Sequence, residues 1–173
     1  LMKLKKYQFK YVNSTNDTAI KLIKKGNFQG IICSDNQKRG KGRYGNKWIS
    51  IKGNLFVSIF FQLKKKYKLE NLNNTNCKIL KSVISRFVKK KIEIKKPNDL
   101  LINKKKICGI LQEVTFFKEK KFLIIGIGVN INQHPHIKAY PTANLNEFSD
   151  TKINKLILFN NIKKTYEKKY KLK

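Results

Sequence analysis

Residues 105–131, KKICGILQEVTFFKEKKFLIIGIGVNI, decide the predicted fold. Two apolar segments, 107–117 and 122–131, are rich in the β-branched and aromatic residues typical of strands. The charged turn Lys118-Glu119-Lys120 separates them. Such a short turn joins neighbouring strands that run in opposite directions, so this stretch predicts an antiparallel pair.

The segments on either side of this pair add further strands and helices. Strands are predicted at residues 7–12, 30–34, 54–63, 92–94 and 100–102. Helices are predicted at 14–26, at 74–89, and near the end of the chain, where Leu158, Ile162, Tyr166 and Tyr170 share one side. The pattern predicts an α+β fold with a mixed, mainly antiparallel sheet and helices packed on one face. A length of 173 residues suits a single domain over residues 1–173.

The composition is strongly basic, with 40 Lys and Arg against 10 Asp and Glu and a formal net charge of +30. Such a charge is typical of proteins that bind nucleic acid, and a small basic nucleic-acid-binding protein is one hypothesis for this chain. The lysines are scattered rather than grouped, and no nucleic-acid-binding motif is present. We therefore favour compositional drift as their origin and expect no sequence-specific binding to nucleic acid.

Cysteine and histidine positions give no metal-ligand spacing. Cys33, Cys77 and Cys108 are far apart and odd in number, which favours reduced thiols in or near a core. His134 and His136 flank Pro135, and we interpret them as loop residues. The sequence also has no signal peptide and no apolar run long enough to span a bilayer, so we expect a cytoplasmic protein without a membrane partner.

A glycine-rich loop, QKRGKGRYGNKW at residues 37–48, holds the only tryptophan and two of the three arginines. Its glycines allow a ligand to approach the backbone closely. Lys41, Arg43 and Lys47 can neutralise carboxylate and phosphate oxygens, and Trp48 can cover a flat ring. The composition fits a binding loop and an ordinary mobile surface loop about equally.

Three shorter motifs are each ambiguous when taken singly. Pro97-Asn98-Asp99 between two strands suits a simple turn or a polar corner for a nucleotide and a metal ion. A glycine inside a strand, such as Gly109, indicates close approach of a ligand. The segment Gly126-Ile127-Gly128 lacks the remainder of a dinucleotide-binding fingerprint and the helix that should follow it, so a Rossmann fold is excluded.

The motifs together, in their order, resemble the catalytic domain of biotin–protein ligases over roughly residues 10 to 145. The resemblance is carried by Ser14-Thr15-Asn16, Gln37 with the loop to Trp48, Pro97-Asn98-Asp99, Lys106 to Glu113, and Gly126 to Asn130. It implies an enzyme that uses ATP and Mg²⁺ to attach biotin to a lysine of a carrier protein. The expected carrier is the biotin carboxyl-carrier protein of acetyl-CoA carboxylase or of another biotin-dependent carboxylase.

The resemblance also implies roles for individual residues. It assigns biotin binding to Ser14, Thr15, Asn16, Gln37, Gly40, Lys41, Gly42, Arg43, Lys106, Gly109 and Leu111. It assigns ATP binding to Trp48, Asn98, Asp99 and Asn130, and the Asp99 carboxylate is a candidate ligand for Mg²⁺. Lys106 and Arg43 are the candidate catalytic residues, because cations must offset the repulsion between biotin's carboxylate and the α-phosphate.

The sequence departs from the family pattern at three positions and in its predicted domain content. The family usually has arginine at Lys41, tryptophan at Lys96, and often arginine at Asn46. Some relatives carry an N-terminal helix-turn-helix domain, which we expect to be absent, and many carry a C-terminal β-barrel, which we expect to be absent or reduced. A lipoate or octanoate ligase or transferase of the same superfamily is the nearest alternative function.

Overall fold

The computed structural model describes residues 3–64 and 67–171, so the outermost residues of the predicted domain lie outside the described range. The strands are β1 (Lys6–Val12), β2 (Gln29–Gln37), β3 (Leu55–Gln62), β4 (Glu93–Lys95), β5 (Asp99–Ile102), β6 (Lys105–Phe117) and β7 (Lys120–Val129). The helices are α1 (Thr15–Lys24), α2 (Leu69–Ile84) and α3 (Lys155–Tyr170). Two single 3₁₀ turns cover Arg43–Gly45 and Leu145–Phe148.

All seven strands form one sheet in the order β1-β2-β3-β7-β6-β5-β4. Only β1 and β2 pair in parallel among these described strands, and the other five pairs are antiparallel. The hairpin between β6 and β7 turns through Lys118 and Glu119, whose φ angles of 46° and 61° match the twist of a tight hairpin. The predicted α+β class and the mixed, mainly antiparallel sheet are therefore confirmed.

The helices cover both faces of the sheet, whereas the sequence predicted helices on one face. On β3, Ile59 belongs to the main core beneath α2 and α3, while its neighbour Phe60 packs with Ala19 and Ile23 of α1. Side chains of successive strand residues point to opposite faces. Because β3 is apolar at both sets of positions, one layer of helices cannot bury it, and α1 covers the second face.

The predicted start is accurate for helix α1, which has a capping side chain, but not for helix α2, which has none. Ser14 is the N-cap of α1, where its hydroxyl accepts from the backbone N–H of Asp17, as the sequence predicted. Helix α2 starts five residues before the predicted 74 and ends five residues before the predicted 89. Thr75, near the predicted start, lies inside the helix and donates its hydroxyl proton to the Asn71 carbonyl instead of capping.

The three cysteines are buried free thiols, as expected. Burial raises the pKa of the Cys77 thiol to about 11 and raises the pKa of Cys33 and of Cys108 as well. Thiols in such surroundings stay protonated and unreactive near neutral pH. Within the described residues, no helix is long and apolar enough to cross a bilayer.

Two buried tyrosines of α3 provide a matched pair for testing the core. The Tyr170 hydroxyl donates to Asn76 Oδ1 at 2.8 Å, whereas the Tyr166 hydroxyl has no protein partner among the described residues. Removing one partner of a buried hydrogen bond costs about 1–3 kcal/mol. We expect Tyr170→Phe to lower the free energy of unfolding by that amount and Tyr166→Phe to change it by less than about 0.5 kcal/mol. Urea unfolding of both variants measures the difference, and equal losses would contradict it.

Candidate active site

A cleft of about 760 Å³ lies on the sheet where β6 and β7 meet the start of α1. Its walls come from the glycine-rich loop, from residues 97–99, and from residues 136–140. Strands β6 and β7 leave room for the cleft, because three of their residues that line it, Gly109, Gly126 and Gly128, carry no side chains. The sequence thus opens a space on a sheet that is otherwise covered by large apolar residues.

Trp48 forms part of the cleft floor by lying on a pair of glycines. Gly109 and Gly128 are opposite each other in the β6–β7 register. A Cβ at Gly109 would be 2.7 Å from Cζ3 of Trp48, and a Cβ at Gly128 would also overlap the indole ring. The sequence predicted close approach of a ligand to Gly109. In the structure, the group that approaches it closely is the indole of Trp48. Side chains at either glycine would push Trp48 into the cleft.

A cluster of neutral polar groups lines the cleft beside Gly126. Gln37 Oε1 accepts from the backbone N–H of Thr15 at 2.9 Å and from the Thr15 hydroxyl at 3.1 Å. Asn16 Nδ2 donates to Glu113 Oε2 at 2.6 Å. Ser14 lines the same space while capping α1. These bonds fix the orientation of the side chains and leave a cleft wall that is polar and neutral, while Glu113 lines an adjoining cavity.

Ser58 completes this cluster and was missed from the sequence. It is fully buried on β3, opposite Gly126, and its hydroxyl lies 2.7 Å from Thr15 Oγ1 and 2.5 Å from Asn16 Oδ1. The available signal was a lone hydroxyl inside the apolar strand predicted at 54–63. A buried polar group needs a partner, so a serine there indicates a polar neighbour on the next layer.

Lys106 places a positive charge beside the cleft floor. Its Nζ lies 2.9 Å from Asp99 Oδ1, 5.5 Å from the centre of the Trp48 ring and 5.2 Å from that of Tyr140. Its side chain is 15% exposed, and that of Asp99 is 21% exposed. The ammonium group is thus largely shielded from water but open to the cleft, where its field acts strongly on a bound anion.

Residues 38–48, which we call the lid, fold back on themselves beside the cleft. The backbone N–H of Trp48 donates to the Gly40 carbonyl at 2.9 Å, and that of Gly42 donates to the Asn46 carbonyl at 2.7 Å. At the tip, the Arg43 guanidinium stacks on the Tyr44 ring and donates to its hydroxyl at 2.8 Å. The Tyr44 side chain is highly exposed, so Arg43 lies at the edge of the cleft.

The charges that line the cleft are mostly positive. Among the described lining residues, Asp99 has the single carboxylate, and five side chains are cationic: Lys41, Arg43, Lys47, Lys106 and Lys138. Lys138 and its neighbours His136 and Tyr140 were not predicted, because they lie in a loop without a motif. A concave surface with excess positive charge concentrates anionic ligands.

Most of the predicted site residues share this cleft, and two do not. The cleft is lined by Ser14, Thr15, Asn16, Gln37, Lys41, Gly42, Arg43, Trp48, Asn98, Asp99, Lys106, Gly109 and Leu111. Gly40, near the start of the lid, lines the adjoining cavity and lies close to Gln37. Asn130 is buried behind the cleft, where Nδ2 donates to the Ala143 carbonyl at 3.1 Å. Its position supports the backbone of the following segment rather than a cleft wall.

Histidine and acidic residues near the cleft do not form a metal-binding cluster. His134 Nδ1 lies 3.0 Å from Glu147 Oε1, and Asn144 Nδ2 donates to the same carboxylate at 2.7 Å. In the part of the chain that the structure describes, no group of three or more His, Cys, Asp or Glu side chains could hold a metal ion. His134 and His136 lie between β7 and the 3₁₀ turn at Leu145–Phe148, outside helices and strands, and are loop residues as interpreted from the sequence.

Comparison with known proteins defines the class. The model of the biotin/lipoate A/B protein ligase family matches residues 8–130, and the chain belongs to this family. It is 30% identical to the bifunctional ligase/repressor BirA of Bacillus subtilis over 171 residues, covering 92% of this chain and 52% of that protein. Biotin–protein ligase 2 of Arabidopsis thaliana is 30% identical over 133 residues, covering 72% of this chain and 40% of that protein. The chain spans about half the length of these relatives or less.

Solved structures agree with this class. The biotin protein ligase of Aquifex aeolicus in complex with biotin and ATP superposes with a TM-score of 0.80 and 26% identity, covering 96% of this chain and 70% of that one. A lipoate protein ligase of Thermoplasma acidophilum has a TM-score of 0.66 and 12% identity, covering 100% of this chain and 86% of that one. At that identity the second match reflects the shared fold alone.

The contact between Trp48 and the paired glycines can be tested by fluorescence, since Trp48 is the only tryptophan. We expect Gly128→Ala to displace the indole towards solvent, shift its emission to longer wavelength, and lower stability by about 1–3 kcal/mol. Gly126→Ala is the matched control, because its Cβ would meet Asn16 instead of Trp48. Identical emission spectra for the wild type and Gly128→Ala would contradict the proposed floor.

Proposed function

We propose that this chain catalyses ATP-dependent attachment of biotin to a lysine of a carrier protein, through a biotinyl-5′-adenylate intermediate. The observation that carries the proposal is one cleft that joins a neutral polar cluster to a shielded lysine. The cluster lies against Gly126, and Lys106 lies against Gly109. Gly126 pairs with Leu111, which is two residues from Gly109 on β6. Along the strand direction, the polar cluster and Lys106 are therefore at positions about 7 Å apart.

The polar cluster suits the ring end of biotin. The ureido group of biotin presents two N–H donors and one carbonyl acceptor, which require matched partners when they are buried. Ser14, Thr15 and Gln37 offer hydroxyl and amide groups. Thr15 donates to Gln37, and the Ser14 hydroxyl accepts from the backbone N–H of Asp17, so these side chains are held in fixed orientations. A lipoyl or octanoyl end has no such groups, and burying it there would leave the remaining donors and acceptors of these side chains without partners, at a cost of about 1–3 kcal/mol each. This argument favours biotin over the lipoate alternative.

The cationic side chains suit the first chemical step. A carboxylate oxygen of biotin bonds to the α-phosphorus of ATP while the bond from that phosphorus to diphosphate breaks. Two anions must approach, and negative charge builds up on the phosphate oxygens. Lys106 is our candidate for offsetting this charge on the cleft floor, and Arg43 for offsetting it from the lid. The Asp99 carboxylate orients the Lys106 ammonium at 2.9 Å.

The second step needs no nucleophile from the enzyme. The amine of a carrier lysine bonds to the acyl carbon, the bond from that carbon to the phosphate oxygen breaks, and AMP leaves while the amine loses a proton. Biotinyl-adenylate is a mixed anhydride that water also attacks. The lid would protect it by excluding water from the cleft until the carrier arrives.

The cleft is compatible with Mg²⁺ held mainly by ATP. Mg²⁺ in nucleotide sites is usually bound by one or two carboxylates together with phosphate oxygens and water. Asp99 supplies the single carboxylate among the described residues that line the cleft. When bound, the ion would neutralise phosphate charge and favour departure of diphosphate.

The proposed partner protein is the biotin carboxyl-carrier protein of acetyl-CoA carboxylase or of another biotin-dependent carboxylase.

Replacing Lys106 tests the proposed first step. We expect Lys106→Ala to slow formation of biotinyl-adenylate by about 100-fold or more, since it removes a cation from a water-poor site. Lys105→Ala is the matched control, because Lys105 is the preceding residue of β6 and is exposed. The measurement is the rate of adenylate formation from biotin and ATP with Mg²⁺. Near-normal rates in a folded Lys106→Ala variant would remove this lysine from the mechanism.

A competition experiment tests the acyl substrate. The protein is offered ATP, Mg²⁺, a biotin carrier domain, a lipoyl domain, and equal concentrations of biotin and lipoate, and the products are weighed by mass spectrometry. We expect biotin on the biotin carrier domain and an unmodified lipoyl domain, because the polar cluster matches the ureido group. If the lipoyl domain gains lipoate and the biotin carrier stays unmodified, the protein is a lipoate ligase and the proposed function is wrong.

A further inference from the structure

An ion pair joins the lid to the first turn of helix α1. Lys41 Nζ lies 2.5 Å from Asp17 Oδ1, and the two side chains are 44% and 33% exposed. Asp17 directly follows the Ser14-Thr15-Asn16 segment that lines the cleft. Asp17 itself is not a lining residue, and the reaction proposed above gives it no role.

Two carboxylates influence Lys41 from different elements. The hydrogen bond to Asp17 raises the pKa of Lys41, with smaller contributions in the same direction from the charges of Asp17 and Glu113. Glu113 of β6 also accepts from Asn16 in the polar cluster. The lid cation is therefore held on the side of the cleft where the polar cluster lies.

We propose that Asp17 is a positioning residue that holds the lid against helix α1 through its ion pair with Lys41. The Trp48 indole holds the end of the lid on the sheet, and Arg43 at the tip bonds to Tyr44 of the lid itself. Among the described residues, the side-chain hydrogen bond that joins the lid to helix α1 is the one from Lys41 to Asp17. An ion pair this exposed changes an equilibrium by about two- to fivefold. A contact of this strength favours the closed lid and still allows opening for substrate entry and carrier access.

The consequence for catalysis rests on the proposed function. If the lid encloses biotinyl-adenylate, losing the Asp17 contact shortens the time for which the intermediate stays enclosed. Both partners of the contact are residues of the chain itself. The positioning role is therefore measurable in the ligand-free protein, independently of which reaction the cleft performs.

Hydrogen–deuterium exchange of the ligand-free protein is the first test. The amides of Gly42 and Trp48 donate within the lid, so their exchange reports its opening. We expect Asp17→Asn to speed their exchange about two- to fivefold. Asp35→Asn is the matched control, because it removes a similarly exposed ion pair, with Lys155, at a distance from the lid. Asp17→Glu, which keeps the charge, should restore much of the protection.

Two further readouts separate positioning from a general effect on the helix. Asp17 also places a negative charge in the first turn of α1, so its loss could loosen the helix itself. Lid exchange should rise without a comparable rise in α1, and added salt should speed lid exchange in the wild type but not in Asp17→Asn. Unchanged lid exchange in Asp17→Asn, an equal effect of Asp35→Asn, or matching increases in α1 would each overturn the proposal.

A second experiment links the lid to the intermediate. With biotin, ATP and Mg²⁺, we expect preformed biotinyl-adenylate to leave Asp17→Asn about two- to fivefold faster than the wild type in a chase without carrier. Absence of adenylate in the wild type would refute the proposed function and leave the exchange result standing. Equal release from both proteins, with faster lid exchange in the variant, would refute the role in retention.

Discussion

The antiparallel pairing of β6 with β7 is the constraint on which the site depends. Its register sets Gly109 opposite Gly128 and Leu111 opposite Gly126. The first pair makes room for the Trp48 ring, and the second brings Asn16 over a position without a side chain. A slip of one residue would bring isoleucine or valine side chains into both places, because the glycines of β7 alternate with Ile125, Ile127 and Val129. The cleft, its indole floor and its polar cluster would then all be lost.

Charge organisation gives the cleft its chemical character. The sequence has ten acidic residues, and among the described side chains six lie 2.5–3.1 Å from a lysine or histidine nitrogen. Internal pairing leaves a large excess of positive charge across the surface. A basic composition alone would fit any polyanion, and a family match alone would fit biotin or lipoate. The described residues that line the cleft, with one carboxylate, five cations and a neutral polar cluster, support the proposed anionic substrate with a polar end.

Much of the fold was predictable because local signals agreed with it. The hairpin of β6 and β7, the Ser14 cap and the apolar side of α3 follow from alternation, capping and helical spacing. The predicted bounds of helix α2 lie five residues too late at each end, because its asparagine-rich start has no capping side chain that marks the first turn. The position of α1 on the opposite face was missed, since one-dimensional patterns record burial without recording which layer provides it.

The ordered motifs identified the family and most of the residues that line the cleft, but individual roles and domain organisation stay predictions. By itself the sequence determined which residue types were available: glycines in adjacent strands, an indole in a glycine-rich loop, and a lysine at the start of β6. Only the tertiary structure decided that Trp48 lies on Gly109 and Gly128, that Ser58 joins Asn16, that Asn130 lies behind the cleft, and that Asp17 holds Lys41. The physical reason is that these contacts join residues from separate elements, and strand register and helix packing bring them together in ways that no local pattern encodes.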